Sequence, residues 1–184
     1  MWIFNLIIPN EKPDMPSSKI PDNFIRIPEF SRSTCFGCGP GNVAGLKMNF
    51  YSDNKSVISY VTVPEHFCGW QNIVHGGIVS TILDEIMGWT AIYLLKKVVL
   101  TKRMTVDFLK PVFVNQELFV QGEVLEMCDD RNAHVRAAIT SPEGDTCAES
   151  HGIFRVYAID EALQMGLLDK DILLEINEKF SRLS

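Results

Sequence analysis

The chain has 184 residues, 46% apolar and 22% charged, with a formal net charge of −6. This length suits one domain with a tail or two, and the composition is that of a globular chain rather than a disordered one. The acidic balance runs against nucleic-acid binding, which draws most of its affinity from a basic face.

In chain order, Trp2 to Ile8 form an apolar run broken by Asn5 and stopped by Pro9. The run has no basic flank and is short for a signal peptide or for a membrane span of about 20 residues. It reads as an arm packed on the body or on a partner subunit. Pro9, Pro13, Pro16, Pro21 and Pro28 make residues 1–34 an extended leader, since proline at this density interrupts helices and central strands alike. CFGCGPGN follows as a glycine-rich turn. Strands are predicted over 46–51 and 57–63 around the turn SDNK, then a loop over 64–75 and a long helix over 76–95. Segments 98–109, 117–128, 133–141 and 146–157 are rich in Val, Ile, Thr and Phe and read as four more strands. Beyond residue 158, Ile172, Leu173, Ile176 and Phe180 repeat at helical spacing and predict a helical tail.

The fold class is therefore α+β, with an antiparallel sheet of about six strands and one long helix. The expected divisions are a leader (1–34), the main domain (35–157) and the tail (158–184). One helix covers one sheet face over a limited width, so the edges call for a second copy of the chain. Five cysteines cannot pair completely, and a chain of this size folds without staples. Reduced thiols and a cytoplasmic location are expected.

The helix carries the chemistry. At about 100° per residue, Ile78, Val79, Ile82, Leu83, Ile86, Met87, Trp89, Tyr93 and Leu94 share one broad apolar arc. The opposite arc holds Gly77, Ser80, Thr81, Asp84, Glu85 and Gly88. Two glycines on one helix face cost about 1 kcal/mol each against alanine, so something approaches closely: a helix, a subunit or a ligand. His75-Gly76-Gly77 lies at the helix N-terminus, where free N–H groups and the helix dipole suit a developing oxyanion. Asp84 sits two turns further on, so a carbonyl at Gly77 and a water at Asp84 fit one substrate. The same pattern also suits a dimer interface. Glu85, at the edge of the apolar arc, is the weaker candidate.

HGGIVSTILDE (75–85) resembles the central-helix motif of the PaaI-like and thioesterase-superfamily-member-4-like acyl-CoA thioesterases, which have the hotdog fold. CFGCGPGNVAGLKMNFY is similar to their "C-x-x-C-G…N-x-x-G-L" segment. GWQNIVHGG resembles their lead-in to the helix, and TKRMTVDFLKPV the strand after it. The resemblance runs from Cys35 to Tyr157. It implies a sheet wrapped around the central helix, and thioester hydrolysis by a homodimer or a dimer of dimers. It also implies residue roles: Gly77 N–H on the thioester carbonyl, Asp84 as general base or nucleophile, and Thr101 of the partner subunit orienting the water. His75 shapes the turn at the helix start, beside Gly76. Some relatives carry Asn six positions before the His; here that position is Gly69, and Asn72 is the nearest amide.

Cys35, Cys38, His66 and Cys68 make a possible zinc set, but a second C-x-x-C is missing and His66-x-Cys68 is cramped. The C-x-x-C pair also suits a redox role, but the resemblance accounts for it without metal, and no metal or cofactor is expected. Lys96, Lys97, Lys102, Arg103 and Lys110 form the main basic cluster. It is either a solvated strand end or a patch for coenzyme A phosphates, and Lys102 and Arg103 join His75, Gly76 and Asn72 as the substrate-binding candidates. Trp70, Trp89, Phe108 and Phe113 suit core or acyl pocket equally. The main rival is a non-catalytic acyl-CoA-binding protein. A dehydratase would want a catalytic His beside the Asp, and a purely structural module fits the motifs least. Nucleic acid and membrane are not expected partners.

Overall fold

In the computed structural model, the described residues are 20–30, 33–167, 171, 172 and 175. The N-terminal apolar arm, Leu173, Ile176 and Phe180 lie outside them. The long helix, α1, spans Gly76–Leu95. Val79, Ile82, Leu83, Ile86, Met87 and Tyr93 are buried on it, and Ile78 and Leu94 pack at its margins. Each fully buried Ile or Leu contributes about 1.5–3 kcal/mol, which fixes the rotation of α1 about its axis. Lys96 ends the helix in the left-handed conformation (φ 54°, ψ 43°) and folds its ammonium over the Tyr93 ring at 3.9 Å.

The strands are β1 (Ile25–Arg26), β2 (Tyr51–Ser52), β3 (Val57–Thr62), β4 (Cys68–Trp70), β5 (Ile73–Val74), β6 (Val98–Phe108), β7 (Glu117–Asp129), β8 (Asn132–Thr140) and β9 (Thr146–Tyr157). A seven-stranded sheet runs β1-β2-β3-β7-β8-β9-β6, all antiparallel, and β4 and β5 form a separate pair. The long strands alternate. Leu118 and Val120 on β7, Ala133, Val135, Ala137 and Ile139 on β8, and Ala148, Phe154 and Val156 on β9 are all buried. Small residues let the helix lie close. A Cβ at Gly122 would fall 2.4 Å from Thr90 Oγ1 and 3.2 Å from the Ile86 carbonyl oxygen.

The structure differs from the expected elements in three places. The leader supplies strand β1, which pairs with β2, so the sheet has seven strands rather than about six. The segment predicted as a strand over 46–51 is irregular until Tyr51, although Leu46, Met48 and Phe50 are buried. The expected loop over 64–75 contains the β4–β5 pair, which steers the chain into α1. After β9, α2 (Ile159–Gln164) buries Ala162 against Val98. The leader docks through Phe30, which stacks on Trp89 at 5.3 Å, and Phe50 stacks on Trp89 at 5.1 Å.

Candidate active site

The start of α1 is held from two sides. Val74 N donates to the Val112 carbonyl at 2.8 Å, and His75 N to the Phe67 carbonyl at 3.0 Å. His75 is the N-cap, and its Nδ1 accepts from Gly77 N at 2.9 Å. A neutral imidazole that accepts at Nδ1 carries its proton on Nε2. The expected turn-shaping role of His75 is thus a specific capping bond.

That bond changes the expected oxyanion donor. The Gly77 N–H is already engaged, whereas the Gly76 N–H meets no acceptor among the described residues. The two glycines also line different clefts. Gly76 borders one of about 620 Å³ with Trp70, Val79, Phe108 and Val112. Gly77 borders one of about 400 Å³ with His66, Phe67, Cys68 and Thr81. Trp70 is 83% exposed and Phe108 58%, so these two rings line the larger cleft, while Trp89 belongs to the core. Gly76 rather than Gly77 presents a free donor to the apolar cleft.

Two turns further along α1, roughly 12 Å from Gly76 at ~1.5 Å per residue, Asp84 Oδ1 accepts a hydrogen bond from Thr101 Oγ1 at 2.7 Å. Thr101 lies at a register shift in β6, where Thr101 pairs with Phe154 and Arg103 with Ile153, leaving Lys102 as the extra residue. Such a bulge re-aims neighbouring side chains and here sits beside the carboxylate. The pair forms within one chain. The resemblance implies Thr101 of the partner subunit beside the carboxylate; here the protomer's own Thr101 makes this contact.

The remaining site candidates are more dispersed. Asn72 is exposed, and its carbonyl accepts from Val114 N at 2.9 Å. Lys102 and Arg103 are exposed on β6. Lys110 is paired with Asp145 at 2.9 Å, and Lys96 lies on Tyr93, so the basic cluster is narrower than its sequence density suggests. The four-residue zinc set is not assembled. Among the described residues, Cys35 and Cys38 converge with Glu85, not with His66 and Cys68.

The comparisons with known proteins agree with this architecture. The family model described as the thioesterase superfamily matches residues 71–148. No curated protein matches the chain. Among solved structures, a thioesterase superfamily protein is similar at 23% identity and a TM-score of 0.62, covering 66% of this chain and 60% of its own. This chain therefore spans less than two thirds of that protein's length. A hypothetical thioesterase from Streptococcus pneumoniae, solved with coenzyme A, is 20% identical at a TM-score of 0.53, covering 56% of this chain and 82% of its own. The E. coli PaaI protein from the phenylacetic acid degradation operon is 17% identical at a TM-score of 0.55, covering 61% and 81%. The chain has the hotdog fold that its sequence resembles, and its residues 71–148 match the thioesterase-superfamily model.

Proposed function

We propose that this protein hydrolyses acyl-CoA thioesters to free acid and coenzyme A. The observation that carries the proposal is the Asp84–Thr101 hydrogen bond, set two turns from a helix start with an unpaired Gly76 N–H. The thioester carbonyl accepts from Gly76 N–H at the positive end of α1, and its acyl chain enters the cleft under Trp70 and Phe108. Gly76 and Asp84 lie roughly 12 Å apart along one helix at ~1.5 Å per residue, so in the dimer the carbonyl held at one protomer's Gly76 meets the partner subunit's Asp84. Asp84 removes a proton from water, or attacks the carbonyl directly, expelling the coenzyme A thiolate and giving an anhydride that water then opens. Thr101 holds Oδ1 and leaves Oδ2 to face the water. A positioned base is worth about 10²–10⁴ in rate. Lys102 and Arg103 lie on the same strand as Thr101 and suit the phosphates of coenzyme A.

Two features of the comparisons support this reading. The Streptococcus pneumoniae protein was solved with coenzyme A. It was also solved as an aspartate-to-alanine and a threonine-to-alanine mutant, at positions sixteen apart, against 17 between Asp84 and Thr101.

The assembly proposed is a homodimer or a dimer of dimers. Strand β6 is a sheet edge 11 residues long, and its Leu100 and Phe108 are exposed. A second copy pairing there satisfies the edge and closes over Thr101.

Thiol release from a panel of acyl-CoAs, short to long and including aryl, tests the activity. Turnover of one class supports it and names the acyl group. Binding without release from any of them makes the protein a non-catalytic acyl-CoA binder.

A further inference from the structure

A second reactive cluster lies on α1 beside the proposed site, and thioester hydrolysis does not use it. The turn Cys35-Phe36-Gly37-Cys38 packs across Glu85. Cys35 Sγ donates to Glu85 Oε1 at 3.0 Å, and Trp89 Nε1 donates to Cys38 Sγ at 3.3 Å. Both sulfurs and a Glu85 oxygen lie within 4.8 Å of one another. This approach needs a glycine in the turn, because a Cβ at Gly37 would fall 2.1 Å from Glu85 Cγ.

Glu85 is mostly buried, and the groups that act on its carboxyl are Cys35, Cys38 and Asp84, with no cation among them. Burial first, then the neighbouring thiol, pushes it up to about 8. The Cys35 thiol is pulled down to about 4, first by its hydrogen bond with Cys38, against burial, and then by Glu85 and the backbone N–H groups of Cys38 and Gly37. Cys38 is pushed up by the same contact with Cys35 and by burial. One proton is therefore shared between Cys35 Sγ and Glu85, and Cys38 keeps its own. A more exposed thiolate, a deeper thiol and a buried carboxyl between them are the parts that thiol–disulfide exchange requires. Cys35 is half-buried rather than enclosed, and Cys38 borders an open cleft of about 300 Å³ that Lys47 also lines.

We propose that Cys35 and Cys38 are a dithiol–disulfide couple that exchanges with low-molecular-weight disulfides, with Glu85 carrying the proton. The Cys35 thiolate attacks one sulfur of R–S–S–R. The S–S bond breaks, a Cys35–S–S–R mixed disulfide forms, and the departing RS⁻ takes the proton from Glu85. The Glu85 carboxylate then accepts the Cys38 proton. The Cys38 sulfur attacks Cys35 Sγ, closing the Cys35–Cys38 disulfide and expelling the second RS⁻, which leaves as RSH with that proton. The protein dithiol loses two electrons and two protons, and one R–S–S–R becomes two RSH.

The test uses the full chain equilibrated with defined ratios of reduced and oxidised glutathione, followed by alkylation of free thiols and peptide mass spectrometry. The expected result is a disulfide joining Cys35 and Cys38, with Cys68, Cys128 and Cys147 still alkylated. Cys38→Ser is expected to stop at a glutathione adduct on Cys35. Glu85→Gln is expected to slow ring closure about tenfold or more near neutral pH and to change the pH profile of its rate. The proposal is overturned if no Cys35–Cys38 disulfide forms at any ratio in folded protein. It is equally overturned if oxidation falls on the exposed Cys68 and Cys128 instead. One equivalent of zinc on the purified chain, with both thiols unreactive, would assign the cluster to metal binding.

Discussion

Thr101 Oγ1 sits 2.7 Å from Asp84 Oδ1, and this hydroxyl fixes which carboxylate oxygen is free. Thr101→Val keeps the β-branched shape and removes the donor. A hydrogen bond to a charged group is worth about 1.5–3 kcal/mol, so kcat/KM is expected to fall about tenfold or more, while the thermal midpoint moves little. Equal activity in the two proteins would leave Thr101 without a role in orienting the base. Glu85 and Cys35 make a prediction of a different kind. Glu85 is raised from 4.5 to about 8, so its contribution to stability is present below pH 4.5 and lost as pH rises through about 8. Cys35 is lowered from 9.0 to about 4, so its contribution is present above pH 9 and lost as pH falls through about 4. The two slopes oppose each other over the same window, because the native and unfolded pairs each hold one proton there. Wild type is expected to show little slope from this pair. Cys35→Ser removes the thiol's share of the Glu85 shift and leaves the larger share due to burial, so its urea midpoint should fall as pH rises above 4.5. A flat profile in Cys35→Ser would contradict the assignment.

At the scale of elements, the helix and the four long strands were legible in the sequence. The 3.6-residue period over 76–95 and the breaks at 110–111, 129–132 and 142–144 are local signals. What was missed depends on partners distant in sequence. Strand β1 has two residues in a proline-rich leader and exists only because Tyr51 and Ser52 lie beside it. Glu85 looked like a margin residue of α1 until the turn 50 positions earlier closed over it. The switch from Gly77 to Gly76 as free donor was half visible, since His75 reads as shaping the turn at the helix start, but which N–H it takes is a matter of side-chain geometry. Gly122 was not singled out, although β7 touches α1 there. Gly122→Ala is expected to cost about 1–3 kcal/mol through overpacking against Thr90 and Ile86, at roughly 2–4 °C of melting temperature per kcal/mol. An unchanged melting curve would mean that α1 lies further from the sheet than described.

The whole molecule leaves its longest exposed edge at β6, next to the proposed catalytic pair. A dimer joined along this edge covers Leu100 and Phe108 and brings a second chain beside each Thr101. Sedimentation or light scattering at micromolar concentration is expected to return two or four times the 20.8 kDa chain mass. A particle of 20.8 kDa would contradict this assembly. The central claim, that Asp84 drives thioester hydrolysis, is tested most directly by acyl-CoA thiol release from wild type beside Asp84→Asn. The substitution keeps the shape of the side chain and removes its basicity. The account predicts a loss of about a hundredfold or more in kcat with folding intact. Turnover within a few fold of wild type in Asp84→Asn would contradict it.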